Sequence, residues 1–213
     1  MQVPRPRAVH PDWGPADFFD NRRKSMLLKI ADLSHDDLFY ELGCGDANLL
    51  IYVTRKAGLK HATGFEIIPS RAFRARKKVK DAGLEDRITI RTESIYTVDL
   101  SKPDVIFAML CEREGDYQYL FSKRRGIRDG TRLIRHDLPL IGFLPDRIEL
   151  PFYRMTYPLV KAKTRAQWVR SVLQDPDTKV EDLWQELAYY SYEKGYTPDE
   201  IRYFQSMLVA RVR

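Results

Sequence analysis

Cysteine is scarce: Cys44 and Cys111 are the two in 213 residues, and neither belongs to a CxxC pair. That excludes a disulfide framework and a cysteine-built zinc site, and no metal is expected in the chain. Long apolar runs are missing as well. No stretch approaches the roughly 18 uncharged residues that a spanning helix needs, and Met1 to Pro15 lacks the apolar centre of a signal peptide. The expectation is a soluble cytoplasmic protein with no membrane partner. Internal repeats and low-complexity segments are absent too, and the length suits one α/β core with a small appendage.

Charge is plentiful. Lys and Arg number 36 against 30 acids, giving a formal charge of +6. The pI near 9.2 is compatible with an acidic partner such as nucleic acid without requiring one. Arg71, Arg74, Arg76, Lys77, Lys78 and Lys80 interleave with Ala72, Ala75, Val79 and Ala82 at helical spacing. This reads as a solvated helix face in preference to a phosphate-binding stripe.

Apolar periodicity orders the remainder. Phe19, Leu27, Ile30 and Leu33 give an amphipathic helix that ends before the buried run Leu38-Phe39-Tyr40. A glycine turn, a helix from Asn48 to Lys56 and a strand from His61 to Glu66 follow. The basic helix runs from about Ser70 to a left-handed stop at Gly83, and Arg87 to Arg91 alternates like a strand. Asp104 to Met109 reads as a buried strand, Tyr117, Leu120 and Phe121 as a helix, and Thr131 to His136 as another strand. Arg147 to Leu150 and Tyr153 to Val160 are too close for a parallel crossover and should pair antiparallel. The fold expected is a Rossmann-like, doubly wound α/β sheet of seven strands, mostly parallel, with an antiparallel C-terminal hairpin. The catalytic domain is placed at 1–163. A helical extension is placed at 164–213, with helices over Ala166 to Leu173, Val180 to Tyr192, and from Thr197 onward.

The chemistry concentrates where the first strand turns into a helix. Glu41-Leu42-Gly43-Cys44-Gly45-Asp46-Ala47 lies at the carboxyl edge of the sheet, where open α/β folds bind ligands. Glycines there allow a ligand close to the backbone. A dinucleotide site would prefer a third glycine where Asn48 stands, so the spacing argues against NAD or FAD. Glu66 ends the next strand some twenty residues on, where a carboxylate can accept from both hydroxyls of an adenosine ribose. Glu41 is a candidate partner for an ammonium group.

With these residues, the chain resembles the class I methyltransferases that use S-adenosylmethionine, and more narrowly the small archaeal protein-lysine methyltransferases related to the seven-strand histone-lysine enzymes. The resemblance covers roughly 17–163. It rests on Asp36 to Asp46, Gly64-Phe65-Glu66, Thr97-Val98-Asp99, Thr131-Arg132, His136-Asp137, and Gly142-Phe143 with Pro145. It implies S-adenosyl-L-methionine as cofactor. Gly43, Cys44 and Gly45 would surround its methionine part, with Glu41 and Asp46 in the same motif. Glu66 would hold the ribose, Ile67 the adenine face, and Ser94 with Ile95 the adenine edge. Ser94 departs from the family's small residue and amide, and Ala47 from its common third glycine. Trp13-Gly14-Pro15 is the nearest match to the aromatic-proline segment that covers the cofactor in such enzymes.

A sulfonium methyl is already activated, so few dedicated catalytic residues are expected and none is assigned. Candidates for an acceptor channel are Trp13, Phe18, Met109, Leu110, Phe143 and Tyr153. Ala108-Met109-Leu110 stands where nucleobase amine methyltransferases carry an acid or amide followed by Pro-Pro and an aromatic, which argues against that acceptor. Cys111 reads as a buried small hydrophobe and His136 as a strand-end histidine rather than a base. The reading is a protein-lysine N-methyltransferase acting on a protein substrate. An RNA methyltransferase and a non-catalytic adaptor stand as the alternatives.

Overall fold

The computed structural model describes residues 19–109, 117–123, 126–136, 138–149 and 151–173. Within them two compact units separate: Met1–Leu140 with Pro145–Val160, and Ile141–Leu144 with Lys161–Arg213.

The first unit holds the sheet. α1 (Asn21–Ala31) starts at Asp20, whose carboxylate accepts the Arg23 N–H at 2.7 Å, and stops where Asp32 turns left-handed. β1 (Leu38–Leu42), α2 (Asn48–Ala57), β2 (His61–Glu66), α3 (Pro69–Asp81) and β3 (Ile88–Thr92) follow. Pro69 suits the first turn of α3 because its missing N–H would have no helical acceptor. Next come β4 (Val105–Ala108), a π-helical turn over Tyr119–Lys123, β5 (Arg132–His136), β6 (Arg147–Glu149) and β7 (Phe152–Thr156).

Strand order is β3-β2-β1-β4-β5-β7-β6. β1 to β5 pair in parallel, while β7 runs antiparallel to both β5 and β6. Phe39, Ala62, Ile88, Ile90, Val105, Phe107, Ile134 and Phe152 join buried residues of α1, α2 and α3 in one apolar core. Because β2 and β4 flank β1, the chain order reverses at the carboxyl end of β1. A crevice for a ligand opens at such a point.

Three elements depart from expectation. β7 stops at Thr156 rather than Val160, since Pro158 has no N–H for the ladder. β4 is confined to Val105–Ala108. The helix expected around Tyr117 to Phe121 continues as the π-helical turn, where the Tyr157 hydroxyl donates to the Phe121 carbonyl at 2.6 Å.

In the second unit Phe143 bridges Lys161, and the Ala162 N–H donates to the Gly142 carbonyl at 2.9 Å. α4 (Arg165–Leu173) begins with a reciprocal cap. The Gln167 N–H donates to Thr164 Oγ1 at 3.1 Å, and the Lys163 N–H to Gln167 Oε1 at 2.6 Å. The helices expected over 180–192 and from 197 lie outside the described residues. No described helix is long and apolar enough to cross a membrane.

Candidate cofactor and acceptor site

The turn after β1 is fastened to β2 through its backbone. The Gly43 and Cys44 N–H groups both donate to the Phe65 carbonyl, at 2.8 and 3.0 Å. Gly43 and Gly45 have φ of 81° and 52°, where a side chain would be strained. Ala47 adopts φ 62° despite its methyl group, so the third small position of the motif keeps a left-handed backbone without glycine.

A glycine with no role assigned from sequence makes this closeness possible. A Cβ on Gly64 would lie 2.7 Å from Cys44 Sγ and 2.9 Å from Leu50 Cδ2. The signal available was a glycine inside a strand pattern, which marks close approach of another segment.

Glu66 is buried and uses each oxygen once. Oε2 accepts the Gly45 N–H at 3.0 Å and Oε1 the Ile68 N–H at 2.8 Å. The carboxylate thus ties the glycine turn to the start of α3. Lone pairs remain on both oxygens for the two hydroxyls of a ribose.

Glu41 differs. It is buried and its Oε2 has no hydrogen-bond partner. Burial pushes its carboxyl up to about 8; the Leu50 N–H opposes the shift and the Glu66 charge adds to it. A buried acceptor without a donor needs one, and an ammonium group satisfies it in charge and hydrogen bonding. This is the feature that fits the methionine end of an S-adenosylmethionine molecule.

The remaining expected residues take distinct places. Cys44 is buried, and burial raises its thiol pKa. Asp46 faces α3, pairing with Arg74 at 3.1 Å and Lys78 at 3.4 Å, and Lys78 also reaches Asn48 Oδ1 at 3.1 Å. It clamps the turn to α3. Ile67 is half-buried between β2 and α3. Half-buried Ser94 and Ile95 follow β3, where the adjoining Glu93 N–H donates to the Glu66 carbonyl at 3.2 Å.

On the other side of the switch point, Met109 is half-buried at the end of β4. Tyr153 is fully enclosed in β7, opposite Arg135 of β5. Phe143 is half-buried in the second unit. Trp13, Phe18, Leu110, Cys111 and Asp137 lie outside the described residues. The structure adds a cluster that sequence reading did not assemble. The Phe19 ring lies 5.9 Å from Phe107, 5.5 Å from His136 and 5.7 Å from Phe152, and His136 lies 5.2 Å from Phe152. On the opposite sheet face, buried Arg135 stacks 3.6 Å above the Tyr117 ring.

A seven-strand sheet in this order, a glycine turn after β1 and an acid closing β2 together define the class I methyltransferases. This chain is an S-adenosylmethionine-dependent methyltransferase of that class. No family model matches it. It is 29% identical over 123 residues to a protein-lysine N-methyltransferase of Saccharolobus islandicus (strain REY15A), a match spanning 57% of this chain and 75% of the relative. An RNA methyltransferase of Salinibacter ruber, solved in complex with S-adenosyl-L-homocysteine, has 26% identity and a TM-score of 0.61. That match covers 68% of this chain and 97% of the other.

Proposed function

We propose that this enzyme is a protein-lysine N-methyltransferase that works by positioning and desolvating the acceptor amine. Glu66 holds the ribose of the donor, Gly43, Cys44 and Gly45 lie along its methionine part, and Glu41 meets the ammonium. Asp46 holds the turn in place, Ile67 packs on the adenine, and Ser94 with Ile95 borders its edge. The donor, when bound, supplies an electrophilic methyl on a sulfonium. Alignment of the acceptor can contribute about 7–11 kcal/mol toward the barrier.

The observation that carries the lysine reading is the character of the acceptor side. Among the described residues, the ends of β4 and β5 and the start of β7 bear Ala108, Met109, His136, Phe152 and Tyr153, mostly apolar or aromatic side chains. A lysine must shed a proton before it can attack, at a cost of roughly 4–5 kcal/mol at neutral pH from an ordinary pKa near 10.4. Aromatic walls reduce that cost by disfavouring the ammonium form. The resemblance to the Saccharolobus enzyme points the same way.

The RNA reading is favoured by the likeness to the Salinibacter enzyme. Incubating a cell extract and purified RNA with methyl-tritiated donor and this enzyme separates the two. The expected outcome is label in protein that survives ribonuclease and appears as methyl-lysine after hydrolysis. Label confined to RNA overturns the proposal. The segment 164–213 is assigned a substrate or subunit contact. Truncation after Lys163 that leaves mass per particle and activity as expected for an unchanged monomer would remove that assignment.

A further inference from the structure

The cations of α3 do not form one uniform solvated face. Arg74 and Lys78 turn toward the glycine loop and share Asp46. Arg76, Lys77 and Lys80 point elsewhere, and with them stands Phe73, an aromatic ring 69% exposed. At 3.6 residues per turn, positions 73, 76, 77 and 80 fall within an arc of about 100°. Their charges are weakly compensated. Lys77 meets Asp81 at 2.9 Å in an exposed pair, which holds its partner loosely. Arg76 bonds two neutral acceptors, Thr92 Oγ1 at 2.6 Å and the Ile90 carbonyl at 3.2 Å. Lys80 is exposed and has no carboxylate within ion-pair reach among the described residues. Beside this arc runs β3, the edge strand of the sheet.

We infer that this face of α3 docks single-stranded nucleic acid, with Phe73 stacking on a base while Arg76, Lys77 and Lys80 meet the neighbouring phosphates. A π-surface flanked by exposed cations is the arrangement that binds unpaired strands without reading their sequence. An acidic protein fits less well. A stable protein interface needs about 800 Å² from each partner around an apolar centre, whereas this arc offers one ring surrounded by charge. The dock also lies away from the transfer chemistry. β3 is three strands from β4, about 14 Å at ordinary strand spacing, so a bound strand is tethered on the donor side and is not thereby the methyl acceptor. The inference therefore stands whichever acceptor the enzyme uses.

The test is anisotropy of a labelled mixed-sequence single-stranded RNA of about 15 nucleotides titrated with the full chain across a salt series. Binding should weaken with salt at a log–log slope of about −2, the value for three phosphates neutralised on a single strand. Phe73→Ala should weaken it by about 5- to 150-fold, the range for loss of one stacked base. Phe73→Tyr should restore it. Lys77→Glu with Lys80→Glu should weaken binding and flatten the slope. Because all these side chains are at the surface, unchanged melting temperatures separate loss of contact from loss of fold. Three results overturn the inference: no binding at about 50 mM salt, equal binding by native and Phe73→Ala chains, or poly-glutamate binding as tightly as RNA with the same loss on Phe73→Ala. The last would assign the face to acidic protein.

Discussion

The two sides of the switch point are built from different materials. On the β1–β2 side, carboxylates and backbone amides meet at fixed distances: Glu66 to Gly45 and Ile68, and Gly43 and Cys44 to Phe65. On the β4–β5–β7 side, rings pack against rings, with Phe19, Phe107, His136 and Phe152 mutually in contact. On the function proposed above, the difference fits what each side is to recognise. A donor that never varies can be held by directional polar groups, each sensitive to small displacements. The amine acceptor proposed above, which must lose its charge, would be served by apolar walls, and these are made from the same residues as any core.

The sharpest test of that division is Glu66→Ala. It removes the acceptor for two backbone amides, one of them buried, and, on the reading above, both ribose contacts. At roughly 1.5–3 kcal/mol for each bond to a charged group, the two ribose bonds correspond to a loss of donor affinity of about 10² to 10⁴-fold. Titration calorimetry with the demethylated product measures it, and near-native affinity would remove Glu66 from the site. Phe152→Ala should behave in the opposite way. Its ring is fully enclosed, so truncation should cost about 3–5 kcal/mol of folding stability by denaturant titration, while product affinity of the folded fraction stays near native. If affinity collapsed together with stability, the two sides would not be separable.

Gly64→Ala tests the donor side with a single methyl group. The new Cβ meets Cys44 and Leu50 at under 3.0 Å, so the turn or α2 must shift. Overpacking of this kind costs about 1–3 kcal/mol. Here it should lower donor affinity along with stability, because the displaced atoms belong to the turn. A stability loss with unchanged affinity would show that the turn tolerates movement.

The same contrast explains what could be read in advance. β2 runs from His61 to Glu66 as its sequence pattern implies, and the carboxylate at its end reaches the glycine turn. Those features are local or depend on one fixed β-α-β spacing, so the sequence carries them. The aromatic cluster is not local. Its members come from a segment before α1, from β4, β5 and β7, and nothing in the sequence distinguishes Phe107 or Phe152 from other buried strand residues. Arg74 and Arg76 likewise look equivalent in a basic run. Which of them turns to Asp46 depends on where α3 docks against the glycine turn, a tertiary fact. The apolar pattern of Tyr153 to Val160 extends past the end of β7 because Pro158, which has no N–H for the ladder, interrupts the strand within it.

A prediction of a different kind concerns Glu41 and the proton it carries. In the free protein its carboxyl titrates near 8 instead of the ordinary 4.5, because the charged form is buried with Glu66 facing it from β2 and the Leu50 N–H from α2 as its opposing donor. Between those two values the folded chain holds a proton that the unfolded chain releases. Stability should therefore be unaffected by this group below about 4.5 and fall as pH rises toward 8, levelling off above it, with a slope of at most about 1.4 kcal/mol per pH unit. An ammonium brought to Oε2 favours the carboxylate, so binding of donor or product near pH 7 should expel close to one proton. Affinity should then rise with pH, by at most about tenfold per unit, until the carboxyl is fully ionised. Calorimetry at pH 7 in buffers of different ionisation enthalpy counts the protons, and Glu41→Gln should reduce the count to near zero and flatten the pH dependence of stability. Tight binding whose heat is the same in every buffer would mean that Glu41 keeps its proton and that the ammonium is met by another group.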